Sequence, residues 1–400
     1  MKKKVLALGY IPKWKGGRQK TGLATGLFDL HDAVNSINSD ICVIIAATDI
    51  FQEEVMIDHT KVLGWKKILL FKHAVKRFYR LPLFIKGALS LNDFSEVTDG
   101  FLSVFAKLLY LDYAIEKENP DIIHLHGCLY ASFRNFIWDK NIPVVLRLHG
   151  INGYDSAIKG YLKYREIERM ITINEYSFVS FVTHKIAEDW KLLYGKFPCS
   201  MFPIINGYNE KVFFTPNRIV EKKYDLVTIS GLSERKGQDR VIKALQILKE
   251  SGKHFSYLII GNGDEGYEKS IKGMVKENSL DVTFVDYCSQ DMLNSYLWQS
   301  RYFILPTSSE GFGKVFVESI AAGVPVILPC DIPIAKEKGI FNVNNSVFMR
   351  DSSVDSVVDV LSELPNLNAS EKEISESVSH LSWNNIAKQY VNLYRNIRKG

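Results

Sequence analysis

The stretch from residue 306 to 318 concentrates side chains that could bind a phosphorylated ligand. It reads Pro-Thr-Ser-Ser-Glu-Gly-Phe-Gly-Lys-Val-Phe-Val-Glu and leads from an apolar, β-rich run into a predicted helix. Gly311 and Gly313 permit close approach of a ligand to the backbone, and the first amides of the helix favour an anion such as a diphosphate. Glu310 precedes this helix and Glu318 lies about one turn inside it, so the two carboxylates can reach different parts of one ligand. The alternative is a capping loop followed by a core helix with a solvated glutamate.

Basic residues and glycines also follow other predicted strands. Arg235 and Lys236 lie in a loop after one such strand, and a guanidinium fork beside an ammonium can hold phosphate. Basic residues at helix starts are usually solvated, which is the competing interpretation. Glycines recur after strands at Gly16-Gly17 and in the run 261–263. Neither place has the spacing of the dinucleotide-binding fingerprint.

Histidines lie at the ends of two predicted strands in the first half of the chain. His124 and His126 precede Gly127, and His149 precedes Gly150. We expect them at the carboxyl edge of a parallel sheet, although a structural role is the usual explanation for any one histidine. No Cys, His or Asp set has the spacing of metal ligands, and no acidic cluster indicates a magnesium site. The sequence therefore predicts no metal.

Length and composition favour a two-domain globular protein. The chain has 400 residues, of which 46% are apolar and 24% charged, so disorder, collagen and low-complexity repeats are excluded. No apolar run approaches the roughly 18 residues of a membrane span, and Pro12 interrupts the only run that imitates a signal peptide. Five widely separated cysteines argue against a disulfide framework. We expect a cytoplasmic protein.

Apolar β-rich runs alternate with helical ones, a pattern typical of parallel α/β architecture. In the first half, strands are predicted at 5–10, 41–46, 68–71, 122–125, 144–148 and 178–182. The pattern predicts an N-terminal Rossmann-like domain at 1–205, a linker at 206–223, a second Rossmann-like domain at 224–380 and a final helix at 381–400. That helix is amphipathic, and its periodicity does not decide between completing the second domain and crossing back to the first. Ligands are expected in the cleft between two such sheets.

Taken in order, these residues resemble the family 4 retaining glycosyltransferases of the GT-B fold. The features that carry the resemblance span most of the chain: Gly16-Gly17, His126-Gly127, His149-Gly150, Asn206-Gly207, Lys236-Gly237, Gly261-Asn262-Gly263, Glu310 with Glu318, and the run 321–326, Ala-Ala-Gly-Val-Pro-Val. The resemblance implies α/β architecture with two doubly wound domains facing across a cleft. It also implies transfer of a hexose-type sugar, with retention, from a UDP- or GDP-linked donor.

The resemblance also implies roles for individual residues. Glu318 would bind the ribose, Glu310 the donor sugar, and Lys236 would neutralise the diphosphate. The implied catalytic residues are Glu310, His126 and Lys236. The implied donor-binding residues are Gly16, Gly17, Arg235, Gly311, Phe312, Gly313, Lys314, Val315 and Glu318. No metal or other cofactor is implied, and the acceptor would be a glycan or a lipid-linked saccharide.

Three positions depart from the family's pattern. Gly231 stands where the family commonly has an arginine, and Arg235 is the nearby candidate to replace it. Lys314 replaces a usually apolar residue, where it would either assist phosphate binding or point to solvent. Asp286 occupies a position near the base pocket that often holds glycine, so the base preference does not carry over.

The segment Lys61–Asn92 carries eight Lys and Arg residues and no Asp or Glu. Its cations are interleaved with aromatic and aliphatic side chains, which is typical of an interfacial membrane segment. The sequence therefore predicts contact with an anionic membrane surface, and we expect neutralising Lys72, Lys76, Arg77 and Arg80 to weaken it. A solvated face plus a core strand is the competing interpretation. Nucleic-acid binding is disfavoured because no recognition motif accompanies the charge.

The leading hypothesis is an enzyme of surface polysaccharide or glycolipid assembly, cytoplasmic or peripheral on the inner face of the membrane. A nucleotide-sugar epimerase of similar two-domain shape is one alternative. A catalytically silent glycan-binding relative is another. A nicotinamide-dependent dehydrogenase is disfavoured by the missing fingerprint.

Overall fold

The computed structural model describes residues 2–19, 21–37, 40–91, 100–134, 141–156, 158, 160–286 and 288–397. The chain divides into two compact units. Unit 1 comprises Met1–Asn206 and Trp383–Gly400, and unit 2 comprises Gly207–Ser382. Within the described ranges, no helix combines the length and apolarity needed to cross a membrane.

Unit 1 is built on an eight-stranded sheet in the order β3-β4-β2-β1-β5-β6-β7-β8, parallel except for the β3–β4 pair. The strands are β1 Lys3–Gly9, β2 Ile41–Ala47, β3 Glu54–Ile57, β4 Thr60–Leu63, β5 Ile122–His126, β6 Val144–Leu148, β7 Phe178–Phe181 and β8 Met201–Pro203. Every residue of β5 and β6 is buried, as expected for parallel strands covered on both faces. The strand order reverses between β1 and β5.

The α-helices described before the chain enters unit 2 are α1 Gly22–Ser36, α2 Lys67–Lys76, α3 Leu81–Ser90, α4 Gly100–Glu118, α5 Cys128–Ala131, α6 Tyr161–Thr172 and α7 His184–Tyr194. The predicted strand at 68–71 is wrong, because these residues lie in α2. A four-residue apolar run does not distinguish a strand from a helix. Here Leu70 and His73 are buried while Ile68 and Phe71 are exposed, which is the spacing of a helix.

Unit 2 contains a six-stranded parallel sheet in the order β11-β10-β9-β12-β13-β14. Its strands are β9 Tyr224–Ile229, β10 Tyr257–Ile260, β11 Val282–Val285, β12 Ser300–Ile304, β13 Val326–Pro329 and β14 Ser346–Met349. Its α-helices are α8 Gln238–Glu250, α9 Glu265–Glu277, α10 Gln290–Trp298, α11 Lys314–Ala321, α12 Val354–Ser362 and α13 Glu371–Glu376. The prediction of two doubly wound α/β sheets is confirmed.

The last helix, α14 (Trp383–Asn396), packs against α1 and β2 of unit 1. Its apolar stripe is buried there: Trp383, Ile386, Ala387, Tyr390, Val391 and Tyr394. The Lys3 ammonium donates to the carbonyl oxygens of Tyr394 at 2.9 Å and Ile397 at 2.8 Å. Periodicity predicts the helix and its buried face, and these contacts show which unit the face covers.

Candidate functional site

In unit 2, the predicted donor-binding residues follow the two strands at which the strand order reverses. The chain runs from β9 through β10 to β11 at one edge, and from β12 through β13 to β14 at the other. Ligands of open parallel sheets bind beyond the carboxyl ends of the strands at such a reversal. The loop 230–237 follows β9 and the loop 305–313 follows β12, so both loops start at this point.

An ion pair joins these two loops. The Lys236 ammonium contacts Glu310 Oε1, and both side chains are largely buried. The backbones are also linked, since the Ser308 N–H donates to the carbonyl of Arg235 at 2.9 Å and Arg235 Nη1 donates to the carbonyl of Ser309 at 2.5 Å. The structure therefore brings the adjacent residues Arg235 and Lys236 to Glu310, which lies 74 positions beyond Lys236 in the sequence.

The close approach of the two loops depends on Gly237. Its φ is +78°, and a Cβ at this position would lie 2.5 Å from the carbonyl oxygen of Pro306. Arg240 Nη1 donates to the same oxygen at 2.6 Å. A larger residue at 237 would both strain the backbone and separate the loops.

The helix that follows the second loop, α11, has no side-chain cap at its first turn. Gly313, with φ +72°, precedes α11 and supplies no side chain to cap it. The uncapped amides and the positive end of the helix dipole form a region that favours an anion. Phe312 is buried beside this turn, while Gly311 and Val315 remain partly accessible.

Lys314 and Glu318 lie one helical turn apart on α11. Their Nζ and Oε1 atoms are 2.9 Å apart and both side chains are largely buried. Of the two alternatives for Lys314, a side chain that points to solvent is therefore wrong. Its ammonium donates a hydrogen bond to Glu318, the carboxylate that the family resemblance assigns to the ribose.

Two further contacts shape the loop 230–237, one from Gln238 at the start of α8 and one from the loop 261–263 after β10. The buried amide of Gln238 donates to Ser230 Oγ at 2.8 Å and to the carbonyl of Gly231 at 3.1 Å. A Cβ on Gly263 would lie 2.0 Å from the carbonyl oxygen of Leu232. The glycines at 261–263 thus serve loop packing. Gln238 was not predicted from the sequence, where its only signal is its place directly after Lys236-Gly237.

In unit 1, the Gly16-Gly17 loop follows β1, one of the two strands at the order reversal. A Cβ on Gly17 would lie 1.9 Å from the carbonyl oxygen of Ile11, so the turn requires glycine. The buried Asp49 carboxylate accepts from the Ile11 N–H at 3.2 Å and the Arg18 N–H at 3.1 Å. Burial raises the pKa of Asp49, while the hydrogen bonds from Arg18 and Ile11 oppose that effect. Asp49 braces the loop and was not predicted from the sequence.

The other strand at this reversal, β5, ends at His126, whose ring nitrogens both contact other histidines. Nε2 lies 2.9 Å from His31 Nε2, and Nδ1 lies 3.2 Å from His149 Nε2. His126 is buried and does not extend into solvent. His31, on α1, is 95 positions away and has no strand-end signal, so only the tertiary structure reveals it.

The histidines of this group are neutral at physiological pH. Burial lowers the pKa of His126, His124 and His149 well below the ordinary value, and neighbouring positive charge adds to the effect. Burial, followed by the charge of Arg147, lowers the pKa of His31 to about 3. Each histidine–histidine contact needs one N–H and each neutral ring carries one. The tautomer of His126 is therefore coupled to that of His31.

A metal ion fits this group poorly. One ring nitrogen from each of His31, His124 and His126 lies within 4.8 Å of the others, a compact arrangement. The buried guanidinium of Arg147 lies beside the group and donates to Asn206 Oδ1 at 2.6 Å and to the Tyr390 hydroxyl. Its positive charge in a buried environment opposes the entry of a dication.

Solved structures of similar fold cover almost the whole chain. A sucrose-phosphate synthase from Thermosynechococcus elongatus matches with a TM-score of 0.73 over 98% of each chain, at 16% identity. Anabaena HepE in complex with UDP and glucose matches with a TM-score of 0.67 over 99% of this chain and 100% of that chain, at 13% identity. The fold is GT-B.

Within this GT-B chain, residues 209–380 match the family model described as Glycosyl transferases group 1. An uncharacterized glycosyltransferase of Methanocaldococcus jannaschii is 28% identical over 225 residues, covering 53% of this chain and 57% of the relative. A putative teichuronic acid biosynthesis glycosyltransferase of Bacillus subtilis is 28% identical over 225 residues, covering 52% of each. The chain thus spans about half the length of the curated relatives that it matches.

Proposed function

We propose that this protein is a retaining glycosyltransferase. It transfers a hexose-type sugar from a UDP- or GDP-linked donor to a glycan or a lipid-linked saccharide. The product belongs to a surface polysaccharide or glycolipid, and the enzyme works in the cytoplasm or on the inner face of the membrane. The observation that carries this proposal is the Lys236–Glu310 pair at the strand-order reversal of unit 2.

Departure of the diphosphate is the step that this arrangement is suited to assist. Negative charge grows on the leaving group as the bond to the sugar breaks. The Lys236 ammonium, the Arg235 guanidinium and the first amides of α11 are donors that stabilise such charge once the bound donor has displaced Glu310 from Lys236. The glycines at 311 and 313 let the diphosphate approach these amides.

The two glutamates take different parts of the donor in this proposal. Glu318 accepts hydrogen bonds from the ribose hydroxyls in place of its contact with Lys314. Glu310 accepts hydrogen bonds from hydroxyls of the sugar, and this releases the Lys236 ammonium toward the diphosphate. Donor binding therefore replaces two internal ion pairs by contacts with one ligand.

In unit 1, the proposal assigns His126 to the donor sugar and the Gly16-Gly17 loop to the diphosphate. Because His126 is neutral and buried, it acts as a positioning hydrogen-bond partner. It does not supply a charge. Its Nδ1 contact with His149, at 3.2 Å, is the longer of its two and only partly buried. A sugar hydroxyl would engage this side of the ring. The proposal needs no metal or other cofactor.

The comparisons support this proposal at the level of the reaction class. Both relatives are named as glycosyltransferases, and the one from B. subtilis is named for teichuronic acid biosynthesis. The HepE structure holds UDP and glucose. The GT-B fold and the family match over unit 2 are consistent with a nucleotide-sugar donor.

A thermal-shift panel of UDP, GDP, ADP and their common sugar conjugates tests the donor site. A ligand that binds only the native state raises the melting temperature by mass action. We expect one nucleotide to raise the melting temperature of the wild type and to raise that of Glu318→Ala much less. Glu234→Ala is the matched control, since Glu234 is exposed in the first loop and should leave the shift intact.

Turnover and stereochemistry then separate the alternatives. The transferase releases a nucleoside diphosphate only with an acceptor, and NMR of its product shows the anomeric configuration of the donor. An epimerase would convert the sugar nucleotide with no acceptor present. A silent glycan-binding relative would show no turnover of any donor. Inversion at the anomeric carbon would contradict the retaining mechanism.

A further inference from the structure

The helical hairpin of unit 1 formed by α2, the 3₁₀ turn Phe78–Arg80 and α3 exposes large apolar side chains. Phe71 is 67% exposed, Val75 61%, Phe78 70% and Leu89 60%. We propose that this exposed side, the docking face, binds the surface of an anionic lipid bilayer. Its apolar members are Ile68, Phe71, Val75, Phe78, Tyr79, Leu83, Ile85 and Leu89.

The hairpin is apolar on two sides, and unit 1 covers only one of them. Leu70, Phe84, Ala88 and Leu91 are buried on the inner side, where α2 and α3 pack against α4. The docking face lies on the outer side. A helix that is apolar on opposite sides normally has both covered, and a contiguous exposed apolar patch marks a site of interaction.

The cations of this segment divide into an inner and an outer set. The inner set pairs with acidic groups on α4: Lys61 Nζ lies 2.9 Å from Glu118, Lys76 Nζ 2.7 Å from Glu116, Arg77 Nε 3.2 Å from Glu116 and Arg80 Nη1 2.6 Å from Asp112. Three of the four cations predicted to contact a membrane are thus engaged within unit 1. The cations outside this inner set are therefore the ones left to contact a membrane.

The outer set consists of Lys66, Lys67, Lys72 and Lys86. All four are exposed, and the part of the chain that the structure describes offers none of them an ion-pair partner. No Asp or Glu occurs between residues 61 and 92. The outer side of the hairpin therefore combines aromatic and aliphatic surface with positive charge that no acidic group among the described residues neutralises.

Buried contacts fix the hairpin to the rest of unit 1. His73 Nε2 lies 2.8 Å from Asp112 Oδ2, and His73 Nδ1 lies 3.1 Å from Glu116 Oε2. These carboxylates also hold the inner cations. The docking face is thus presented by an anchored element, so binding does not require the hairpin to detach.

A bilayer is the occupant that satisfies both features of the face. Lysines engage anionic headgroups while apolar side chains enter the boundary of the acyl region. A second copy of the same face would bring like charges together, and a nucleic acid would leave the apolar side chains in water. This inference goes beyond the proposed donor-binding residues, none of which belongs to the docking face, and does not depend on them.

Sedimentation of the full chain with vesicles tests the proposal. Vesicles of phosphatidylcholine with one quarter phosphatidylglycerol are compared with phosphatidylcholine alone at near-physiological salt. We expect binding to the anionic vesicles, reduced about thirtyfold in Lys72→Gln/Lys86→Gln because the two basic residues contribute separately. Phe71→Ser/Phe78→Ser should reduce binding at least as much. Lys269→Gln/Lys276→Gln, an equal charge change at exposed positions of unit 2, should bind like the wild type.

Undiminished binding by both docking-face variants would overturn the proposal. So would self-association of the wild type that Phe71→Ser/Phe78→Ser abolishes, since a second copy would then be the occupant. Hydrogen exchange gives an independent readout: amides of α2 and α3 should gain protection on anionic vesicles, and equal exchange with and without vesicles would also overturn it. Nucleotide-induced thermal shifts of the same variants should match the wild type, so a failure here is distinct from a failure of the proposed function.

Discussion

Lys236 and Glu310 form an ion pair across two loops that leave neighbouring strands toward opposite edges of the sheet in unit 2. The ammonium assigned to the diphosphate is therefore neutralised by a carboxylate when no donor is bound. A negatively charged ligand must compete with that carboxylate. This relationship gives the two residues opposite effects on nucleotide affinity.

We expect Glu310→Gln to bind the nucleoside diphosphate about tenfold more tightly than the wild type, because one charge-assisted hydrogen bond to Lys236 no longer competes. Its transferase activity should fall, since the sugar loses an acceptor. Lys236→Met should weaken nucleotide binding and lower kcat about 100-fold, the effect of removing one fixed charge-stabilising donor. Calorimetric titration and initial rates measure both. Weaker binding by Glu310→Gln would contradict the competition.

The Lys314–Glu318 pair leads to an expectation about the ribose. The wild type should prefer the ribonucleotide over its 2′,3′-dideoxy analogue, because two hydroxyls pair with a largely buried carboxylate. Glu318→Ala should lose this preference, and Lys314→Met should keep it. Competition binding with the two nucleotides measures the ratio. An unchanged ratio in Glu318→Ala would show that another group reads the ribose.

The buried histidines of unit 1 make its stability depend on pH. Their pKa values are lowered in the folded state, so below about pH 6.5 the unfolded chain binds more protons than the folded one. The stabilisation is complete above that pH and is lost as the pH falls, by about 1.4 kcal/mol per pH unit for each histidine that stays neutral. We expect urea denaturation at pH 7.5, 6.5 and 5.5 to show this loss.

Replacing one of these histidines should reduce that slope. His124→Phe removes one buried imidazole. Between pH 6.5 and 5.5 its free energy of unfolding should therefore fall by about 1 kcal/mol less than that of the wild type. His254→Gln, at an exposed position, serves as the control and should keep the wild-type slope. Parallel slopes for His124→Phe and the wild type would contradict the expectation.

Much of the fold follows from local pattern, because buried parallel strands leave continuous apolar runs. The predicted strand at 144–148 agrees with β6 residue for residue, and those at 41–46 and 178–182 differ from β2 and β7 by one residue at the carboxyl end. The site residues of unit 2 could be selected because glycines, glutamates and basic residues directly follow strands. Asn92, the last residue of the predicted basic segment, lies outside the described residues.

The remaining features depend on contacts between distant parts of the chain. Asp49 and His31 look like ordinary residues of a strand end and a helix, and only packing brings them to Ile11 and His126. Lys76, Arg77 and Arg80 read as free cations until α4 supplies their carboxylates. Local sequence does not encode which partner a side chain meets.

Gly17 gives a direct test of the loop after β1. Gly17→Ala places a methyl group against the Ile11 carbonyl, so the loop must shift and the turnover of donor should fall at least about tenfold. Gly22→Ala, where nothing lies within 4 Å of the added Cβ, should retain activity. Steady-state rates at saturating donor measure the difference. Equal rates for both variants would show that the loop does not contact the donor.

The return of α14 to unit 1 has a consequence for biosynthesis. Lys3 contacts Tyr394 across 391 positions, so the ribosome makes all of unit 2 before the last helix of unit 1 exists. Tyr390 and Tyr394 supply hydroxyls to Arg147 and His124, and until they arrive those buried polar groups lack these partners. Unit 2, a continuous stretch of chain, can fold during synthesis. Unit 1 is completed only after α14 has been synthesised, so the docking of α14 is the last step in the assembly of unit 1.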